Sequence, residues 1–393
     1  MSSTPDSSST DPQRQKKPTT TRIVAGEKPK NRRRALEISL VAGLVVLIGA
    51  GAAVASVTLG NQNKPAAAPT TAAGPATDLK LGYFGNVTHA PALVGLQEGF
   101  FQKELGATKL STQVFNAGPA AIEALNAGAI DAAYLGPNPA INSFVKSKGE
   151  SIRIIAGAAS GGAQLVVKPS IASAADLKGK VLASPQLGGT QDVALRSWLA
   201  SQGLKTMPDG GGDVTINPTE NAQTLKLFQD GKLDGAWLPE PWASRLVLQA
   251  GAKVLVDEKD LWDKGQFTTT ILIVNTSYLQ AHPDAVKELL KGHVESVQWI
   301  NDNKDKAPDV INAGLKEAAG ATLPTDVLAR SLGSLAFTAD PLASTYKELL
   351  DHGVTAGVTK QADINGIFDL APLNAVLKGA GKSAVPAAGL GTE

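Results

Sequence analysis

The hydrophobic pattern of this chain contains one passage twice. In the first copy Ile122 and Leu125 sit at helical spacing, Gly128 follows, Ala132-Ala133-Tyr134-Leu135 forms a short apolar run, and Gly136-Pro137-Asn138-Pro139 comes next. In the second copy Leu225 and Phe228 are followed by Gly231, then Gly235-Ala236-Trp237-Leu238, then Pro239-Glu240-Pro241. Asp131 and Asp234, like Gly128 and Gly231, lie 103 residues apart. Each copy predicts the end of a helix, a glycine stop, a short buried strand and a proline-marked turn into the next helix. Such a unit aims the carboxyl end of its strand at a helix start, the edge where open α/β sheets bind ligands. Two copies predict two similar lobes facing one ligand.

The text around the repeat extends this pattern. Strands are predicted at Leu79–Phe84, Thr112–Phe115, Ile152–Ala156 and Gln164–Lys168, with helices at Pro91–Leu105, Gly118–Asn126 and from Asn138 or Pro139 to Lys146. A second lobe reads from Pro169, with strands at Val181–Ala183, Asp213–Ile216, Leu233–Leu238 and Lys253–Val256 between helices at Gln191–Ser201, Asn221–Gln229 and Pro241–Gln249. Ile271–Val274 reads as a strand returning to the first lobe, and the chain from Pro283 as almost wholly helical. The expected organisation is lobe one at 79–168 plus 271–380, lobe two at 169–270, and a flexible tail at 381–393. Gln164–Lys168 and Ile271–Val274 would be the two crossings of a hinge.

Composition bounds the function. Of 393 residues, 43% are hydrophobic and 19% charged, enough for a sizeable core and incompatible with general disorder. Cysteine is absent, which excludes disulfides, thiolate metal sites, a cysteine nucleophile and a lipid-anchored cysteine. Net charge is +1, but Arg14, Lys16, Lys17 and Arg32-Arg33-Arg34 crowd the N-terminus, so the rest is mildly acidic. That argues against nucleic acid as a partner. Residues 1–34 read as a disordered basic cytoplasmic tail. Residues 35–59 include the uncharged apolar run from Leu40 to Leu59, close to the ~20 residues that span a bilayer. The basic flank precedes it, which places everything after it outside the cytoplasm. The run reads as a retained transmembrane anchor or a signal cleaved near Ala53-Val54-Ala55; its length favours the anchor. Residues 60–78, rich in Pro, Ala and Thr, read as a linker. The expected location is the extracytoplasmic face of the membrane, or secretion if the segment is cleaved.

Several motifs then carry a family resemblance. Tyr83-Phe84-Gly85-Asn86-Val87-Thr88-His89-Ala90-Pro91-Ala92-Leu93, Asn116-Ala117-Gly118-Pro119, Asp176-Leu177-Lys178-Gly179-Lys180 and Pro239-Glu240-Pro241-Trp242 resemble solute-binding proteins of ABC importers, in the group that binds aliphatic sulfonates, nitrate and taurine. Thr338-Ala339-Asp340-Pro341-Leu342 and Asp363-Ile364-Asn365-Gly366-Ile367-Phe368-Asp369-Leu370 are most similar to the sulfonate branch, and the resemblance spans roughly residues 79–380. It implies an α/β, two-lobed periplasmic-binding-protein-like (type II) fold with two hinge crossings, preceded here by the N-terminal membrane or signal segment. It also implies a monomer that delivers an alkanesulfonate to a permease and its ATPase. Nitrate or taurine in the same role, or a sensory ectodomain, are the alternatives.

A sulfonate is a permanent monoanion and calls for converging N–H and O–H donors, which helix N-termini supply together with a positive potential. The candidate donors are Asn86, Thr88 and His89 before the first helix, Gly118 and Pro119 before the second, and Gly136, Pro137 and Asn138 before the third. In lobe two they are Gly188, Gly189, Thr190 and Gln191. At any one loop, ordinary helix capping explains the same residues. His89 reads equally as an anion donor or as a packing imidazole. Glu240 reads as an acceptor for a ligand amine or for lobe-one N–H groups, and Trp242 as a wall for an apolar tail or as lobe-two core. Ser160 and Gly161, with Thr268 and Thr269, flank the hinge within reach of the ligand. Trp198, Trp237 and Trp299 read as core. No catalytic residue, metal site or cofactor is expected. The four histidines are scattered, no P-loop, nucleophile elbow or zinc helix occurs, and fold relatives that make a pyrimidine precursor rely on cysteines absent here.

Overall fold

The computed structural model describes residues 74–393. The expected tail 1–34, the apolar segment 35–59 and the linker up to residue 73 lie outside the described residues. No described helix is long and apolar enough to cross a membrane.

The chain opens with β1 (Asp78–Phe84), α1 (Ala90–Gln97), α2 (Phe100–Leu105), β2 (Lys109–Phe115), α3 (Gly118–Asn126), β3 (Ala132–Leu135), α4 (Pro137–Lys146) and β4 (Ile152–Gly161). A second layer follows: β5 (Ala163–Val167), β6 (Val181–Ser184), α5 (Thr190–Ser201), β7 (Thr215–Pro218), α6 (Asn221–Gln229), β8 (Gly235–Pro239), α7 (Trp242–Ala250) and β9 (Lys253–Asp257). The chain then returns through β10 (Thr268–Asn275), α8 (Thr276–Ala281), α9 (Pro283–Asp302), α10 (Ala307–Ala319), α11 (Thr325–Gly333), β11 (Leu335–Phe337), α12 (Tyr346–Thr355), β12 (Phe368–Asp369), α13 (Ala371–Gly379) and β13 (Gly391–Thr392).

Two sheets result. The first has the order β13-β12-β4-β10-β3-β1-β2, with β11 also on β4; the second has the order β7-β6-β8-β5-β9. In each, the strands that precede helices run parallel, β1 beside β2 and β3, and β6 beside β7 and β8. One continuous core fills lobe one, whereas lobe two buries a separate cluster on each face of its smaller sheet. Trp237 is fully buried, and Trp198 and Trp299 pack partly buried against the cores.

The repeat has a structural basis. Asp131 Oδ2 accepts from the backbone N–H of Lys80 at 2.8 Å, and Asp234 Oδ2 accepts from that of Val181 at 3.0 Å. The backbone N–H groups of Asp131 and Asp234 in turn donate to the carbonyls of Lys80 and Val181, both at 2.8 Å. Each aspartate therefore pins the entry of its short strand to the first parallel strand of its own lobe, and fixes the register that brings the strand's other end to a helix start. The environments differ. Burial outweighs the hydrogen bond at Asp131 and raises its pKa; at Asp234 burial is opposed by the Val181 N–H and the Lys168 ammonium, which hold its pKa low.

Four features depart from the sequence reading. The expected helix Pro91–Leu105 is two helices, because Gly99 takes a left-handed φ of 72° between them. The switch of sheets falls at Gly161-Gly162, with φ of 80° and 70°, so the strand at 163–167 belongs to lobe two rather than to lobe one. The expected flexible tail 381–393 is tied down: Leu390 is buried and β13 pairs with β12. The C-terminal region adds three short strands to the first sheet, and α11 and α12 also pack on α7 and α5 of lobe two. Such strands of two or three residues leave no periodic signal.

The sheet switch generates a prediction. A Cβ on Gly162 would run into the Leu335 side chain, and one on Gly161 would meet the Ser334 carbonyl at 2.5 Å. Gly162→Ala is therefore expected to cost about 1–3 kcal/mol, from positive φ and overlap together. Urea denaturation reads this directly, and an unshifted midpoint would show that the crossing relaxes freely.

Candidate functional site

The carboxyl edges of the two sheets face each other across a small chamber of about 30 Å³, space for one or two water molecules. Four helices begin at its wall: α3 at Gly118, α4 after Gly136, α5 at Thr190 and α6 at Asn221. Gly118 and Asn221 occupy equivalent places in the repeat. The flanking cap residues Ala117, Gly136, Gly189 and Glu220 make no side-chain hydrogen bond to the helices they open. The first three have no side-chain acceptor to offer. Their own flanking residues do not cap these helix ends, so the positive potential of all four and the first-turn N–H groups of α3, α5 and α6 remain directed at the chamber. Pro119 removes one donor from α3, and Pro137 and Pro139 remove two from the first turn of α4.

Side chains complete the donor set. Thr88, Thr190 and Gln191 line the chamber and are buried. Thr269 and Thr270 reach it from β10; Thr269 Oγ1 donates to the Gly161 carbonyl, whereas Thr270 Oγ1 and Asn221 Oδ1 are buried without a partner. His89 is fixed by its own strand. Its Nδ1 accepts from the backbone N–H of Phe84 at 3.2 Å, its ring stacks on Phe84 at 4.3 Å, and burial lowers its pKa to about 3. The imidazole is thus neutral with its proton on Nε2, a donor at the chamber wall. No Lys, Arg, Asp or Glu lines the chamber.

Behind Thr190, a buried carboxylate orders the loop. Asp192 accepts from the Ser184 hydroxyl at 2.7 Å and from the Gly188 N–H at 2.9 Å. Arg196, one turn on, pairs with it at 3.0 Å, both side chains being fully buried. The pair cancels a negative charge that would oppose an anion at this helix end.

The remaining expected residues lie around the chamber. Pro119 and Gly188 line a separate groove on the outer side of α3 and α4. Pro137 is the first residue of α4, and Asn138 turns its Nδ2 to the Leu349 carbonyl at 2.9 Å. Ser160 and Gly161 are engaged in sheet pairing with β10 and β11. Glu240 is fully buried away from the chamber, bonded to Arg330 at 3.0 Å, Ser331 at 3.1 Å and the Ser244 N–H at 3.0 Å. Arg330 belongs to the returning part of lobe one, so of the two roles expected of Glu240 the bond to lobe-one N–H groups is the one observed, and it joins α11 to lobe two. Arg330, 90 residues away in sequence, gave no local signal for this pairing. Asn116, Asn221 and Thr270 are chamber residues that the sequence reading did not assign to the site. Asn221 showed only as a helix start, and Thr270 was hidden in a strand with core-like pattern.

The lobes are latched around the chamber. Trp242 Nε1 donates to Asn86 Oδ1 at 2.9 Å, Asn116 Nδ2 donates to Glu220 Oε1 at 3.1 Å, and the Asn138 N–H reaches Thr190 Oγ1 at 3.4 Å. Gly136 is required here, since a Cβ would overlap Thr190 Oγ1.

The buried histidines set a pH dependence. Burial lowers His89 to about 3 and His293 to about 4, below the unfolded value near 6.5. Between those limits the unfolded chain binds more protons. The contribution to stability is full above about pH 6.5 and is lost as pH falls, by up to ~1.4 kcal/mol per pH unit for each histidine. His89→Gln is expected to flatten the stability slope between pH 6.5 and pH 5, measured by chemical denaturation; an unchanged slope would mean that His89 is not held neutral.

Known proteins resemble this chain in sequence and in fold. The chain is 28% identical over 229 residues to the "Taurine-binding periplasmic protein" of Escherichia coli (strain K12), covering 56% of this chain and 68% of that protein. It is 25% identical over 303 residues to the "Putative aliphatic sulfonates-binding protein" of Bacillus subtilis (strain 168), covering 71% and 82%. The alkanesulfonate-binding protein SsuA from Xanthomonas axonopodis pv. citri, solved bound to MOPS, superposes with a TM-score of 0.61 at 22% identity, covering 74% of this chain and 96% of that one. That likeness establishes the two-lobed periplasmic-binding-protein fold. Residues 72–313, more than half of the chain, match the NMT1-like family, and the chain belongs to that family.

Proposed function

We propose that this protein is the solute-binding component of an ABC importer and captures a small organic anion, an aliphatic sulfonate, between its lobes. The observation that carries the reading is the convergence of four helix starts from both lobes on one chamber without a charged side chain. Such a site offers a sulfonate many neutral donors and a positive potential, and asks for no proton exchange. The names of the taurine- and sulfonate-binding relatives support the same ligand class. The relatives are named as binding proteins, and capture without turnover is the role read here. Neither lobe alone completes the donor set, so binding favours the closed arrangement, and closure tells a permease and its ATPase that the carrier is loaded.

The apolar run at 40–59 completes the proposal. It would hold the protein at the extracytoplasmic face of the membrane, with the linker up to residue 78 as tether.

Two experiments test this. In calorimetric titration, ethanesulfonate should bind the full-length protein, and Thr190→Ala and Thr270→Val should each weaken it by about 2 kcal/mol, roughly 30-fold. Tight binding of nitrate with no response to ethanesulfonate or taurine would reject the sulfonate. Separately, the full-length product should stay with the membrane fraction after a carbonate wash; a soluble product beginning near Ser56 would show a cleaved signal instead.

A further inference from the structure

A second, larger cavity of about 460 Å³ adjoins the anion chamber. The two share Asn86, Asn116 and Asn221, so the three amides form the neck between them. The contrast in size matters. The inner chamber fits little more than an anionic head, while the outer one lies within the range of cavities that hold whole small molecules.

The outer walls differ in kind from the inner ones. Leu315, Ala318 and Leu323 form an apolar side, and Val114, 42% exposed, continues it toward the mouth. Opposite lies Trp242, whose indole N–H is already taken by Asn86, leaving its ring as an apolar surface. Arg245 also lines the cavity, its guanidinium carbon 4.6 Å from the centre of the Trp242 ring. Its Nε is held by Gln249 Oε1 at 3.0 Å, and it makes no ion pair among the described residues. A guanidinium spread over an indole and not drawn to a carboxylate offers a planar, weakly hydrated face, suited to stacking against a flat group. The one acid on the wall, Glu220, is bonded across the neck by Asn116.

We propose that the outer cavity is a specificity subsite for the body of the ligand, and that the cargo is a sulfonate carrying a ring-sized, largely apolar tail, best an aryl group, packed between the Leu315–Leu323 wall and the Trp242–Arg245 pair. This rests on the reading of the inner chamber as the sulfonate site and departs from the proposed function in the tail alone, a ring in place of an open alkyl chain. A compact anion would leave the apolar walls wet, whereas a tail threaded past the asparagine neck buries them. The order of the subsites follows from their chemistry: neutral donors and helix ends hold the fixed charge, and apolar and π surface holds the remainder.

The test compares methanesulfonate with benzenesulfonate by calorimetry on the full-length protein. Benzenesulfonate is expected to bind at least about tenfold tighter, the amount that burying a few ring carbons supplies. Ala222 is an exposed residue of α6 at the cavity wall; Ala222→Trp fills the cavity and should remove that advantage. Arg245→Gln should reduce it while leaving the methanesulfonate affinity within about twofold. Equal affinity for the two sulfonates, or an Ala222→Trp variant that weakens both alike, would overturn the subsite while leaving the anion site standing. If neither sulfonate binds, the anion reading fails and the subsite with it.

Discussion

The site depends on the direction of the parallel strands. In a βα unit the helix starts where its strand ends, so every such unit places a positive helix end at the same edge of its sheet. The sheet switch at Gly161-Gly162 and the return through β10 turn two of these edges toward each other. A region of positive potential then arises between the lobes with no basic side chain at the chamber wall. Such a source of potential suits a transporter. Fixed dipoles need no reorganisation as the anion arrives, and they create no tight ion pair that would have to be broken for release.

The lobes need not use the same side chains to reach this arrangement. Asp131 and Asp234 do the same work at equivalent positions, stapling the entry of a short strand to its neighbour. At the far ends of those strands the copies diverge. Gly136 makes room for Thr190 from the opposite lobe, whereas Pro239-Glu240-Pro241 sends Glu240 into a buried pair with Arg330. The C-terminal helices exploit that divergence. By gripping Glu240 and Ser244 from α11, Arg330 couples a late segment of lobe one to the helix that carries Trp242, and Trp242 is one of the latches across the neck. Hinge, latch and outer cavity thus share one short segment of lobe two.

Much of this was legible in the sequence. The repeat announced itself through spacing, and the helix starts at Gly118, Thr190 and Asn221 followed from glycine, proline and apolar periodicity within one residue of their observed places. Asn86, Thr88, His89, Gly118, Gly136, Gly189, Thr190 and Gln191 all stand at the chamber wall. What stayed hidden was whatever depends on distant partners. The orientation of Glu240 is decided by Arg330, and that of Asn138 by the Leu349 carbonyl. Thr270 sits in a strand whose neighbours are all buried, so its unpartnered hydroxyl has no sequence signature. Gly161 read as a residue flanking the hinge, but glycine signals a turn without saying which sheet the chain will join next, so the following strand was placed in the wrong lobe.

In the proposed binding mode, neutral donors and helix ends from both lobes hold the anion. A crystal structure grown with ethanesulfonate measures this directly. Sulfonate oxygens are expected within ~3 Å of first-turn N–H groups from both lobes and of Thr270 Oγ1, with no lysine or arginine nitrogen in contact. A sulfonate paired to a basic side chain, or held by one lobe alone, would contradict it.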